Sequence, residues 1–106
     1  MPVPPALSGL RLPVIAAPMF IVSGVELVLA QCRAGIVGSF PALNARPQDA
    51  FHDWLCRIED GVGGRPYAVN LICHASNDRL GGDVETCARH KVPLLLTSLQ
   101  APRDAA

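Results

Sequence analysis

The sequence predicts an α/β chain built on a parallel sheet, and three observations carry that expectation. First, four short apolar runs recur along the 106 residues: Val14-Ile15-Ala16-Ala17, Ile36-Val37-Gly38-Ser39, Tyr67-Ala68-Val69-Asn70-Leu71 and Leu94-Leu95-Leu96-Thr97. Second, none of them alternates cleanly between apolar and polar positions. Continuous apolar runs are what strands covered on both faces require, and parallel sheets are the usual case. Third, the segments between the runs carry apolar residues at helical spacing, so strand and helix alternate throughout. Such alternation implies right-handed crossovers between parallel strands.

Each element has its own signals. After the first run, Val25, Val28, Leu29 and Cys32 follow the i, i+3, i+4, i+7 spacing of a helix stripe. Ser23-Gly24-Val25-Glu26 has the form of a capping box, in which the Ser23 hydroxyl accepts from the Glu26 amide. Gly35 stands where a helix terminates in a positive-φ residue. The second helix is expected from Phe51, Trp54, Leu55 and Ile58, with Gln48, Asp49, His52, Asp53 and Arg57 on its polar face and Pro47 in its first turn. Residues 60–66 read as a plain loop. The third helix places Leu80, Val84, Cys87 and Ala88 on one stripe, although Gly81 and Gly82 weaken its first turn by roughly 1 kcal/mol each. All three stripes are read as packing surfaces.

Composition narrows the classes of function. Half of the chain is hydrophobic, and Lys+Arg and Asp+Glu are equal at 9 each. That balance belongs to a core-forming chain, without the basic field that attracts nucleic acid or an anionic membrane. The longest apolar stretch, residues 13–22, is too short for a membrane span and carries two prolines. The N-terminus lacks the pattern of a secretory signal, so a cytoplasmic protein is expected. Cys32, Cys56, Cys73 and Cys87 form no Cys-x-x-Cys pair, and they read as reduced, packed thiols rather than metal ligands or disulfides.

Strand starts lie about 22 to 32 residues apart, near the approximately 31 per unit of an eight-unit (β/α)8 barrel. The expected fold is therefore a partial TIM (β/α)8 barrel, comprising about the first four strands and three helices. Four strands leave open edges, so truncation and self-association through those edges are both expected. Ligands of such folds sit at the carboxyl ends of the strands. That rim would hold Pro18-Met19-Phe20, Ser39-Phe40-Pro41, Asn70 and Thr97-Ser98. Asn70 admits two readings: an amide that recognises the edge of a heterocycle, or one that bonds only the backbone at a strand end. His52 is read as solvated and His90 as a favourable helix-terminal cation. His74, beside Cys73 at the crevice mouth, is a candidate pocket residue but half of a poor zinc site.

Leu12-Pro13-Val14-Ile15-Ala16-Ala17-Pro18-Met19 is similar to the opening strand of the nitronate monooxygenase (2-nitropropane dioxygenase) family. Ala34-Gly35-Ile36-Val37-Gly38-Ser39-Phe40-Pro41-Ala42-Leu43-Asn44-Ala45-Arg46-Pro47 is similar to its second unit. Ala68-Val69-Asn70 and His74-Ala75-Ser76-Asn77-Asp78-Arg79-Leu80 resemble its third, and Lys91-Val92-Pro93-Leu94-Leu95-Leu96-Thr97-Ser98-Leu99 its fourth.

The resemblance implies that residues 1–106 are the N-terminal portion of an FMN-binding TIM-barrel enzyme that oxidises alkyl nitronates with O₂. It implies cofactor contacts at Ala17, Pro18, Met19 and Asn70, while position at the strand ends makes His74, Thr97 and Ser98 candidates for lining the pocket. The family's catalytic histidine belongs to a Gly-Gly-His segment beyond this chain, whose nearest equivalents are Gly63-Gly64-Arg65 and Gly81-Gly82-Asp83. The family's FMN-phosphate loops also come from later strands, and Gln100 replaces a glycine common after strand four. A related flavin barrel of the enoyl-acyl-carrier-protein reductase type and an inactive fragment are the alternative readings.

Overall fold

The apolar runs become a parallel sheet, with the helices packed on one of its faces. The computed structural model describes residues 10, 14–74 and 77–98. Strands β1 (Gly38–Pro41), β2 (Tyr67–Ile72) and β3 (Leu94–Ser98) lie side by side in that order, all parallel. Helices α1 (Val25–Arg33), α2 (Asp49–Val62) and α3 (Leu80–His90) connect them, with a short 3-10 turn at Ala42–Asn44. The register pairs Pro41 with Asn70 and Asn70 with Leu96. Leu12, Pro13, Ala75, Ser76, Leu99 and Gln100, used in the family resemblance, lie outside the described residues.

The first apolar run forms less strand than expected. It contributes a single parallel bridge, Ile15 to Val37, through Ala16 N–H to Val37 O and Val37 N–H to Val14 O, each 2.9 Å. Pro18 follows closely and has no N–H to extend the ladder. The second run is shifted toward its carboxyl end: Val37 serves the bridge and β1 continues to Pro41, where the missing donor matters least.

Strand alternation sorts the sheet's two faces. Phe40, Tyr67, Val69 and Leu71 face the helices and join Val28, Cys32, Phe51, Leu55 and Ile58 in the core. Phe40 meets the Phe51 ring edge-on at 5.9 Å and the Trp54 ring at 5.5 Å. These aromatic contacts fix α2 over the sheet. Gly38 lies under α1, where a Cβ would run into the Val28 carbonyl oxygen, so the helix can approach this closely only over glycine.

Two local expectations are corrected. Ser23 does not cap α1, whose N-cap is Gly24; its hydroxyl accepts instead from the Met19 amide at 2.8 Å. In the third helix Leu80, Val84 and Cys87 of the expected stripe pack in or against the core, but Ala88 is exposed, and Asp83 and Thr86 are buried beside them. The reason is polar: Asp83 reaches Arg79 and Gln48, and the Gln48 side chain crosses Gly82, where any Cβ would collide with it. The glycine that weakens this helix in isolation makes room for its docking. Gly35 has the expected positive φ, 94°. Among the described residues, no helix is long and apolar enough to cross a membrane.

Candidate functional site

Because every strand pairing is parallel, the carboxyl ends gather at one rim. Ala17, Pro18 and Met19 follow the bridged first strand, and Asn70 lies near the end of β2, so both stretches occupy the same end of the sheet. The loop that carries Met19 is held by one side chain. Asn44 accepts from the Ile21 amide at 2.8 Å and donates to the carbonyls of Met19 (3.0 Å) and Ser23 (2.9 Å). Ser39, fully buried in β1, donates its hydroxyl to the Ala16 carbonyl. Two adjacent loops are thereby locked together at the rim.

Asn70 points away from the helices, on the face of Ser39 and Pro41. Its Nδ2 donates to Leu96 O at 3.0 Å and to the Ser98 hydroxyl at 3.4 Å. No hydrogen bond to its Oδ1 is made among the described residues, so the donor half of the amide serves the sheet and the acceptor half is available. Ser98 lies on the same face. Thr97 pairs with Leu71 and so belongs to the helix side, where it is exposed. His74 is exposed just past β2, its carbonyl accepting from the Asn77 amide at 2.9 Å. Met19 and Phe20 are exposed, and Arg46 stacks over the Phe20 ring at 5.2 Å.

A cavity of about 500 Å³ opens at this rim between Phe20, Leu43, Ile72, Asn77, Asp78 and Arg79. Its walls come from the loops after the first strand, β1 and β2. Arg79 organises one side, donating to Ala45 O (2.7 Å) and Ala42 O (3.2 Å) and pairing with Asp83 at 3.3 Å. Burial pushes the Asp83 carboxyl above its ordinary 3.8, against the opposing pull of Arg79 and the Gln48 hydrogen bond. Asn77 shapes the same loop by donating to Ile72 O at 2.8 Å and accepting from the Arg79 amide at 3.1 Å. A second cavity of about 500 Å³ lies at the opposite end, beside Cys32, Gly35, Gly64 and Pro66. In barrel folds that end is the stability face, so the carboxyl-end cavity is the functional candidate.

Sequence reasoning does not single out Asn44 and Arg79 as site-building residues, because most of their partners are backbone groups 21 to 37 positions away, nor Asn77, whose bonds to Ile72 and Arg79 shape only its own loop. The sole signal in the sequence was the polar cluster Asn77-Asp78-Arg79 directly after a strand, at the end where barrels bind ligands.

A parallel sheet with helices on its outer face and a cavity at the strand ends defines a section of a (β/α) barrel. Solved structures agree. FabK from Thermotoga maritima matches with a TM-score of 0.77 and 21% identity over 92% of this chain, and the M276A variant of FabK from the same organism with 0.75 and 19% over 92%. This chain covers 30% and 31% of those two chains, so it spans about a third of their length. No protein-family model and no curated protein matches.

Proposed function

We propose that the chain is the N-terminal portion of an FMN-dependent TIM-barrel oxidoreductase, supplying one side of the flavin's ring pocket. The observation that carries this reading is the uncommitted Oδ1 of Asn70 at the same rim as the Ala17–Met19 loop. FMN, when bound, supplies the redox chemistry, and the protein contributes position and polarity. Asn70 Oδ1 would accept from a ring N–H, since Nδ2 is held by Leu96 and Ser98. The Ala17 backbone remains available to the ring. The Met19 amide is taken by Ser23, which leaves Met19 an apolar contact through its exposed side chain.

The fit extends to the ring and stops before the phosphate. Arg79, the cation lining the rim cavity, gives its Nη atoms to two carbonyls and Asp83, and its Nε is buried. The binding test follows from this. Fluorescence titration should give similar affinities for FMN and riboflavin, because among the described residues no uncommitted cation lines the cavity. Asn70→Ala should weaken both at least tenfold. Equal affinity in native and variant proteins would remove Asn70 from the flavin site.

Within the barrel oxidoreductases two substrates compete. The family resemblance favours oxidation of alkyl nitronates with O₂ to a carbonyl compound and nitrite. The fold likeness to FabK, an FMN-dependent enoyl-acyl-carrier-protein reductase, favours enoyl reduction. Assaying a full-length relative with both substrates separates them. With no Gly-Gly-His segment, the 106-residue chain is expected to show no nitronate oxidation with added FMN. We further propose that its open sheet edges pair with a second copy. Size-exclusion chromatography with visible detection distinguishes a yellow dimer from a yellow monomer or a colourless aggregate.

A further inference from the structure

Away from the rim, the outer surface carries a second constellation, where α2 meets α3. His52, Cys56 and Glu59 recur on α2 at i, i+4 and i+7, so they share one face of the helix. His90, the last residue of α3, packs against that face. Its Nδ1 lies 2.7 Å from Glu59 Oε1, and its Nε2 lies 2.7 Å from His52 Nδ1. His52 Nε2 is in turn 3.7 Å from the Cys56 sulfur. Neither histidine is thus the isolated surface residue that its own helix implied.

The chain of contacts sets the tautomers. Glu59 is acceptor-only when ionised, so the proton between it and His90 belongs to His90 Nδ1. In the neutral ring His90 Nε2 then carries a lone pair and accepts from His52 Nδ1–H. That leaves the lone pair of His52 on Nε2, facing the Cys56 thiol. Both imidazoles are held in the form that ligates metals, and Glu59 is a carboxylate orienting a ligand histidine from behind.

We propose that His52, Cys56 and His90 form a binding site for a zinc-class divalent cation, with Glu59 orienting His90 and water as the fourth ligand. One donor atom from each of the three residues lies within 4.8 Å of the others. Tetrahedral zinc, with bonds of about 2.0–2.1 Å to nitrogen and about 2.3 Å to sulfur, sets ligand separations of about 3.3–3.6 Å. The 3.7 Å between His52 and Cys56 already meets this. The 2.7 Å contact to His90 runs through the other ring nitrogen, His52 Nδ1, so the His52 ring must give up that hydrogen bond and turn until its Nε2 and His90 Nε2 share the ion. His52 is exposed, so its ring can turn without disturbing the core. Coordination converts the Cys56 thiol to thiolate and releases its proton to solvent. A His₂Cys donor set suits zinc and cobalt and disfavours magnesium or calcium, which take oxygen ligands. Such a site ties the end of α3 to the middle of α2.

The test uses the full chain and the metals alone. One Zn²⁺ per chain should bind in competition with a chromophoric chelator, and Co²⁺ should give a thiolate-to-metal charge-transfer band with tetrahedral visible bands. Cys56→Ser and His90→Gln should each weaken zinc binding at least tenfold, and Glu59→Gln by roughly 10- to 100-fold with the cobalt spectrum retained. Circular dichroism of the metal-free variants checks their folding. A measurement on the unsubstituted protein needs no variant. Cys32, Cys73 and Cys87 are buried, and burial pushes Cys87 up to about 12, so a thiol reagent should react first at Cys56. Zinc should slow that reaction. Unchanged reactivity, no bound zinc, a cobalt spectrum without the thiolate band, or full affinity in the Cys56 variant would each overturn the proposal.

Discussion

At the scale of single residues, three buried side-chain atoms lack a hydrogen-bond partner among the described residues: the Tyr67 hydroxyl, Asp83 Oδ2 and Arg79 Nε. The Tyr67 hydroxyl is buried without a hydrogen-bond partner, and burial together with the charge of Glu59 pushes its ionisation upward. A buried unsatisfied hydroxyl costs free energy, so Tyr67→Phe should leave stability unchanged or raise it by about 1 kcal/mol in urea denaturation. A loss of more than that would reveal a partner for the hydroxyl. Asp83 is the second case: Oδ1 meets Arg79 and Gln48, while Oδ2 meets nothing.

Because the folded Asp83 carboxyl titrates above its ordinary 3.8, the folded state holds that proton more tightly than the unfolded chain. Its contribution is full below pH 3.8 and falls as pH rises through the folded pKa. Urea midpoints of the native protein and of Asp83→Asn, followed from pH 3 upward, should therefore diverge in favour of the variant. The opposite trend would mean that the Arg79 pair outweighs burial. Asp83 could not have been found from its own sequence position. On the predicted stripe it fell beside the apolar residues, and only Arg79 and Gln48, brought in by the fold, explain why a carboxylate is buried there.

At the scale of elements, the contacts that matter are close approaches and loop clamps. Gly38→Ala would drive a Cβ into the Val28 carbonyl and lift α1 from β1, at a cost of about 1–3 kcal/mol measured by chemical denaturation. Asn44→Ala would remove three hydrogen bonds from the 19–23 loop. It should expose that loop to proteolysis near Phe20 and weaken flavin binding together with it, while the core signal stays near that of the native protein. Resistance to cleavage equal to the native protein would show that the loop is held by other means. Helix periodicity identified the buried faces of α1 and α2 because their apolar residues face a single apolar sheet. It was incomplete for α3, where Leu80, Val84 and Cys87 face the core but Asp83 and Thr86 are buried with them. The Ser23–Glu26 pattern failed similarly, since the hydroxyl found a nearer donor in Met19.

At the scale of the whole molecule, the proposed half-site predicts a division of labour. Flavin-ring recognition should survive in this chain, whereas phosphate affinity and turnover should not. Nitronate oxidation above the rate of free FMN would contradict that division. Concentration-dependent association is expected as well, because Val14, Ile21 and Val22 expose apolar surface next to an edge that carries one bridge among the described residues.

The order of strands and helices, the parallel sense of the sheet and the rim that carries Ala17–Met19 and Asn70 were all determined by the sequence alone. They depend on local period and chain connectivity, which a linear pattern encodes. The direction of each side chain at that rim was decided by the tertiary structure: Asn70 and Ser98 on one face, Thr97 on the other, and Met19 with its amide already spent. So was the meeting of His52, Cys56, Glu59 and His90. Two helices bring together residues 38 positions apart, and no period within either helix records which of its faces the other will meet.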